Sequence, residues 1–394
     1  MRSHVVREHA WLCTGPLSEA DEARPLDRAR ILPSAFDWLV QLNQRMPTGA
    51  RLLQTADQTW LKLDNYVGFL QTPCGTTIEI LPKHFESGNE IARNRRLLKK
   101  MILAAMDLRP RVADIASLES FDQPLTEWLA RNFLQELDLL VRRGVRFQYQ
   151  RVEEEQKFLR GQLDFARVLR QPPGRQHVFP IRHDVHLPSR PENRLLRSAL
   201  DRLGSRVRDS DNWRRTTELR SLFSEVPGSE DIAADFRRWA DDRLMAHYQA
   251  VRPWCQLVLQ GQVPLTTRGD WQGMSLLFPM EKLFERFVVA WLRRRMMQGS
   301  VLAAPAASEY LCIHKGKPMF RLEPDLVLRY GDRAWVLDAK WKRLDVQNVR
   351  HYGLSQGDFY QLFAYGHRYL DGRGDLFLVY PRTEGNSPTK AVLA

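Results

Sequence analysis

Residues 322–343 read LEPDLVLRYGDRAWVLDAKWKR. Two apolar runs are separated by only two residues, Gly331 and Asp332, and glycine at the first central position is what a type II′ hairpin turn requires. Such a turn pins a register. Tyr330 then faces Arg333, Val327 faces Val336, Asp325 faces Asp338, and Lys340 falls opposite Glu323. Opposed residues have Cβ atoms about 4.5–5.5 Å apart. Asp338 and Lys340, two apart on one strand, share a face about 7 Å from each other. One face of the hairpin therefore gathers Asp325, Asp338 and Lys340. The other carries Leu326, Leu328, Trp335, Leu337 and Ala339, which need a core.

Two facing carboxylates repel and are out of place in a purely structural strand pair. A bound divalent cation removes the objection, and hard oxygen ligands suit Mg²⁺ or Mn²⁺. A lysine beside such an ion can orient or deprotonate a water, or stabilise charge on a phosphate. The plainer alternative has both aspartates facing solvent at a sheet edge, with Lys340 neutralising one. Two neighbouring segments bear on the choice. A helix from Pro279 places Leu283, Phe284, Phe287, Val288, Trp291 and Leu292 along one side, and Glu281 and Glu285 border it one turn apart. Either could add a third carboxylate, or pair with an arginine instead. After the hairpin, Gln361 and Tyr365 lie at i and i+4. The glutamine suits a hydrogen bond to a phosphate or an attacking water, and the tyrosine suits core packing.

The rest of the chain changes period twice. Residues 1–85 alternate apolar and polar, as in TWLKLDNYVGFLQTPCGTTIEILPKH, with breaks expected at Gly68 and from Pro73 to Gly75. A short helix over SAFDWLVQLNQ is expected, capped by Ser34. From about 90 to 145 the apolar spacing becomes i, i+3, i+4, i+7, which predicts two amphipathic helices, the second ended at Gly144. A strand and loop are expected through HVFPIRHDVHLPSRPENR, and further helices from Pro191 and over 230–250. A loop-rich joint follows, and a last unit starts near 274 in the order αβββαβ. The expected division is a β-rich region over 1–88, a mostly helical middle over 89–268, and a third domain over 269–394.

The 394 residues carry 59 Lys and Arg against 47 Asp and Glu, a net charge of +12. That excess favours a polyanionic partner, since basic groups at phosphates release counterions. There is no run of 18 apolar residues and no apolar leader core, so we expect a cytoplasmic protein with no membrane partner. Four cysteines without a CxxC pair predict neither disulfides nor a zinc site.

Helix with Glu, then Pro324-Asp325, then Asp338-Ala339-Lys340, then Gln361 to Tyr365 resembles the PD-(D/E)xK nuclease superfamily. A narrower resemblance covers most of the chain. VGFLQTPCGTTIEILPKH, FLRGQLDF, ENRLLRSAL, LLFPMEKLFERFV and DFYQLFAYG are together similar to the McrC family, the nuclease subunit of McrBC-type modification-dependent restriction systems. The resemblance implies an α/β chain ending in a restriction-endonuclease-like domain, a mixed sheet flanked by helices. It implies Asp325, Asp338 and Glu285 on the metal, Lys340 activating water, and Gln361 assisting, with Glu281 as rival to Glu285. It implies double-stranded, modified DNA as substrate. The implied partner is an McrB-like AAA+ GTPase hexamer whose GTP hydrolysis the chain stimulates. The absence of G-x-x-x-x-G-K-[ST] fits that division of labour. A non-catalytic adaptor that stimulates the GTPase, or a stand-alone repair nuclease, are the alternatives.

The segment RHDVH puts His183 and His186 three apart. In an extended chain they face opposite sides, so surface polar residues are the better reading. Trp38, Trp128 and Trp291 read as core.

Overall fold

The structure, a computed structural model, describes residues 3–46, 51–55, 57, 59–85, 90–108, 123–172, 174–175, 177–187, 189–260, 274–304, 308–344 and 351–382. For residues 148–152 and 184–187 it describes the backbone alone. The chain is α/β and divides into two compact units: residues 1–125 with 262–394, and residues 126–261.

The first unit opens with β1 (Ser3–Arg7), β2 (Trp11–Cys13), β3 (Arg28–Arg30), β4 (Leu53–Thr55), β5 (Trp60–Leu63), β6 (Tyr66–Gln71) and β7 (Thr77–Leu81). Strands β3-β2-β5-β4 form one sheet, and β1-β7-β6 begin a second. The helix Pro33–Arg45 buries Ala35, Phe36, Leu39 and Leu42, a helical spacing that turns one stripe inward. Its cap is Leu32, with no side-chain hydrogen bond, not the expected Ser34. Pro33, with no N–H to satisfy, starts the first turn instead. This stripe packs with Leu12, Leu61, Leu63 and Ile80 from the sheets in one core.

Gly68 is not a strand break. It lies inside β6, all six residues of which are buried. Its φ is +128°, and a Cβ there would meet the carbonyl oxygen of Leu276 at 1.8 Å. Glycine is needed because another strand crosses close by.

In the second unit, the helix Leu125–Arg143 ends at Gly144, whose φ is +98°. The strands β8 (Gln148–Gln156), β9 (Gln162–Leu163) and β10 (Phe179–Leu187) pair in the order β8-β10-β9. β10 falls where a strand was expected, and β8 and β9 are additions to an otherwise mostly helical region. The β8 sequence, QYQRVEEEQ, lacks apolar alternation; it is held by its ladder and by cross-strand charge, with Arg182 Nε 2.8 Å from Glu153 Oε1. Helices Pro191–Gly204, Ser210–Leu222, Ile232–Arg238 and Arg252–Leu259 complete the unit. Buried Tyr248 ties it together, donating to Asn193 Oδ1 at 2.9 Å and accepting from the Arg146 N–H at 2.9 Å. His183 is buried here with Nε2 3.4 Å from Glu154 Oε1, so it is not a surface residue. The His186 side chain lies outside the described residues.

The chain then returns to the first unit. Strand β11 (Ser275–Pro279) pairs antiparallel with β6, and Leu277 sits opposite Gly68. The return explains why the compact units do not follow the boundaries expected at 88 and 268. The segment from 274 does not start a separate body; it finishes the N-terminal sheet. The helix Met280–Arg293 also contacts the helix Glu90–Ala105. After it come β12 (Val301–Ala303), β13 (Glu309–His314), β14 (Lys317–Leu322), β15 (Leu326–Tyr330), β16 (Arg333–Ala339), the helix Gln356–Tyr369 and β17 (Asp375–Val379). Strands β12-β15-β16-β17 make a mixed sheet, parallel only at β16–β17, and β13-β14 form a hairpin of their own.

The core of the β15–β16 pair lies on the Asp338 face, and of the face expected to need one, Leu328, Trp335 and Leu337 are only half-buried. Val327 and Val336, on the Asp338 face, join Leu362 and Tyr365 of the helix Gln356–Tyr369. Leu326 and Ala339, of opposite parity, are buried as well. Trp291, expected in the core, is exposed and stacks under the Arg295 guanidinium at 4.1 Å. The four cysteines are free thiols. Among the described residues no helix is long and apolar enough to cross a membrane.

Candidate active site

The turn at Gly331 sets the geometry. Its φ is +56° while Asp332 stays out of the positive region, as a type II′ turn demands. The ladder pairs Tyr330 with Arg333, Val327 with Val336 and Leu326 with Leu337. It stops one residue short of Asp325. Freed from the ladder, the Asp325 carboxylate reaches across and accepts the Ala339 N–H at 2.7 Å. On the far side of β16, Asp338 is paired with Leu378, and the Lys340 N–H donates to Val379 O at 2.9 Å. Asp338 is thus on a central strand and only 2% exposed. The solvent-facing edge pair considered from the sequence does not occur for it.

Lys340 Nζ lies 2.7 Å from Asp338 Oδ2 and donates to Gln361 Oε1 at 3.0 Å. Gln361 Nε2 donates to Tyr365 Oη at 2.6 Å, and Tyr365 Oη donates to Glu323 O at 3.1 Å. The i, i+4 spacing of Gln361 and Tyr365 on one helix thus holds the lysine from above. Tyr365 is buried in the core, as its spacing suggested. Burial, with the Asp338 charge adding to it, pushes the Tyr365 phenol up to about 12. Glu323 is not the partner of Lys340; its carboxylate lies 3.4 Å from Arg321 Nε.

The charges are crowded. Burial first, then the fields of Glu285 and Asp338, push Asp325 up to about 7, against the opposing pull of the Ala339 N–H and Lys282. Glu285, not the exposed Glu281, is among the main charges acting on Asp325. Lys282 donates to both Glu285 oxygens, at 2.8 and 3.1 Å. Burial alone would lower the Lys340 ammonium; its pairing with Asp338 and the charges of Asp325 and Asp358 outweigh this and hold it above the usual lysine value.

Among the described residues no three His, Cys, Asp or Glu side chains assemble as a ready-made metal site. Mg²⁺ needs fewer, since it keeps waters and binds through one or two carboxylates. Asp338 Oδ2 fits that demand. It is buried, and its partner is the Lys340 ammonium at 2.7 Å. Two carboxylates, one buried and one half-buried, crowded together at the end of one hairpin are what a divalent cation would relieve.

Sequence reasoning missed four contributors. Asp358 holds Lys342 at 3.3 Å and adds negative charge near Lys340. Tyr380, after β17, has a hydroxyl pushed up by burial and by the Asp358 and Asp338 charges. Lys282 balances Glu285. Trp341 donates its indole N–H to Glu8 Oε1 at 2.8 Å and packs on Phe284, ring centroids 5.3 Å apart. Asp358 and Lys282 sit one turn from recognised positions and were within reach of a helix-face argument. The Glu8 contact was not.

The fold and site together define a mixed α/β protein with a buried carboxylate–lysine cluster at the end of a hairpin. The sequence profile of the McrBC 5-methylcytosine restriction system component family matches residues 61–381, and the chain belongs to that family. Its fold is similar to a chain in the half-complex of a tetradecameric assembly of Thermococcus gammatolerans McrB AAA+ hexamers with bound McrC. The TM-score is 0.74 at 19% identity, covering 98% of this chain and 89% of that one. A chain of the Thermococcus gammatolerans McrBC complex matches with TM-score 0.57 at 20% identity, covering 75% and 88%. No curated protein matches the sequence.

Proposed function

We propose that the chain is the metal-dependent endonuclease subunit of a modification-dependent restriction system, with a PD-(D/E)xK site. It cuts double-stranded, modified DNA in the cytoplasm. It works with an AAA+ GTPase hexamer, whose hydrolysis it stimulates and by which it is activated. The observation that carries the reading is Lys340 ion-paired to buried Asp338 while Asp325, one register step away, is crowded into a raised pKa. Family membership and the likeness to McrB–McrC assemblies support the partner.

Asp325 and Asp338 would hold Mg²⁺ or Mn²⁺, with Glu285 nearby; bound there, the ion would supply Lewis-acid stabilisation and an acidified water. The chain's own residues do the rest. Asp338 holds Lys340 charged, so Lys340 acts as a donor, to the attacking water or to a phosphate oxygen, at Nζ. Gln361 fixes that Nζ, and Tyr365 fixes Gln361. Glu285, ion-paired with Lys282, would be the further carboxylate available to the ion.

The test is cleavage of methylated plasmid by the parent, Asp338→Ala and Lys340→Ala with the GTPase partner, Mg²⁺ and GTP, recording GTP turnover alongside. The reading expects both variants to lose cutting and keep stimulation. Variants that cut like the parent would refute the site. A parent that stimulates GTP turnover but never nicks would be an adaptor. A parent that cuts without partner or GTP would be a stand-alone nuclease.

A further inference from the structure

We propose that the β13–β14 hairpin is a DNA-binding ribbon whose apolar flank wedges into a base step of the duplex beside the cut; this rests on the DNA-cleaving reading above. Alternation places Leu311, Ile313 and Pro318 on one face of the ribbon, and Phe320, where the strand is interrupted, follows two residues after Pro318. All four are exposed, Leu311 by 48%, Ile313 by 73% and Phe320 by 67%. A water-facing apolar row on a two-stranded hairpin stabilises nothing in the fold.

Phe320 is a second, independent sign. Its φ is +56°. Bulky residues rarely adopt the left-handed region, and such strain collects at binding and catalytic sites. The ladder runs through Tyr310 with Arg321 and Cys312 with Met319 but omits Leu311 with Phe320 between them. The strained ring is exposed, so local packing does not account for the strain.

Charge selects the occupant. The hairpin turns at Lys315 and Gly316, with φ of +50° and +74°, and neither Lys315 nor the flanking Lys317 has an ion pair among the described residues. Two free ammonium groups beside an apolar flank suit a polyanion better than a second copy of this chain, which would bring lysines to lysines. Proteins that kink DNA insert Phe, Leu, Ile, Met or Pro between base steps while basic groups hold the phosphates. The ribbon offers Leu311, Ile313, Pro318 and Phe320 in that role. Its base is also tied to the candidate site. Tyr369 Oη donates to Leu322 O at 2.8 Å, Tyr365 Oη to Glu323 O, and Asp325 follows two residues later. A wedge there would set the scissile phosphate's distance from Asp325.

The experiment uses the full chain in EDTA, so that nothing is cut, with duplexes carrying 2-aminopurine. Binding is followed by anisotropy across a salt series, unstacking by 2-aminopurine emission, and self-association by sedimentation. We expect the parent to bind and brighten the probe. The double variant Ile313→Ala/Phe320→Ala should bind about tenfold more weakly, lose the brightening and keep the salt slope. Lys315→Ala/Lys317→Ala should keep the brightening and flatten the log–log salt slope by about 0.9 per lost phosphate contact. These exposed truncations should leave the circular dichroism unchanged. A double apolar variant that binds and brightens like the parent would overturn the ribbon alone. So would a loss that tracks a dimer-to-monomer change, which would mark the face as a contact between copies. A parent that binds no duplex either alone or with the GTPase partner present would overturn the DNA-cutting reading itself.

Discussion

The indole N–H of Trp341 donates to Glu8 Oε1 at 2.8 Å, joining the residue after Lys340 to the end of the first strand across 333 positions. Glu8 is 2% exposed and also accepts the Lys83 N–H at 2.7 Å. Burial raises its pKa, and these two donors oppose the rise. A raised carboxyl costs the folded state stability as pH climbs through its folded pKa. Trp341→Phe removes a donor to the charged form, so the pKa rises further. We predict a loss of about 1–3 kcal/mol at pH 8 and a smaller loss at pH 5, read from urea unfolding at both pH values.

Gly68→Ala tests the seam between β6 and β11. The new methyl would meet the Leu276 carbonyl oxygen at 1.8 Å, a backbone atom that no rotamer change can move aside. We predict a loss of about 1–3 kcal/mol or more, seen as a lower urea midpoint. Gly15→Ala, where the added carbon meets nothing within 4 Å, is the control.

Buried charge makes a third test. Arg95 holds Glu79 with Nη2 to Oε2 at 2.6 Å, and Glu79 Oε1 also accepts the Leu125 N–H at 3.1 Å. Arg95→Ala would strand a buried carboxylate and should cost about 3–5 kcal/mol. Replacing Glu79 by Gln as well should recover part of that loss. No recovery would show that the charge is not the cause.

The pH dependence of the site has a definite sign. Asp325 sits at about 7 against an ordinary 3.8. The folded state therefore binds its proton more tightly than the unfolded chain, and stability falls as pH rises from about 4 to 7 and stays lowered above. In EDTA, Asp325→Asn should be more stable than the parent at pH 8, with the difference gone near pH 4. Added Mg²⁺ should raise the parent's melting temperature and leave the variant's unchanged.

The local chemistry of this chain was legible and its long-range closures were not. Gly331-Asp332 gave the register because turn type is decided by two residues. Gln361 and Tyr365 came together because helical spacing is short-range. Nothing in SLLFP says that β11 pairs with β6 some two hundred residues earlier, and that pairing is what Gly68 serves. β8 escaped because its residues are polar and held by a partner strand, and β14 because its apolar residues face water. Ser34 lost the cap to Leu32 because Pro33 preset the first turn.

The central claim is that Asp325 and Asp338 form the seat of a divalent ion. Mn²⁺ binding followed by electron paramagnetic resonance, with the parent, Asp325→Asn and Asp338→Asn at pH 8, addresses it directly. The account predicts that the parent takes up Mn²⁺ and that each variant leaves it free in solution. A parent that leaves all the Mn²⁺ free, or variants that bind it as the parent does, would contradict it.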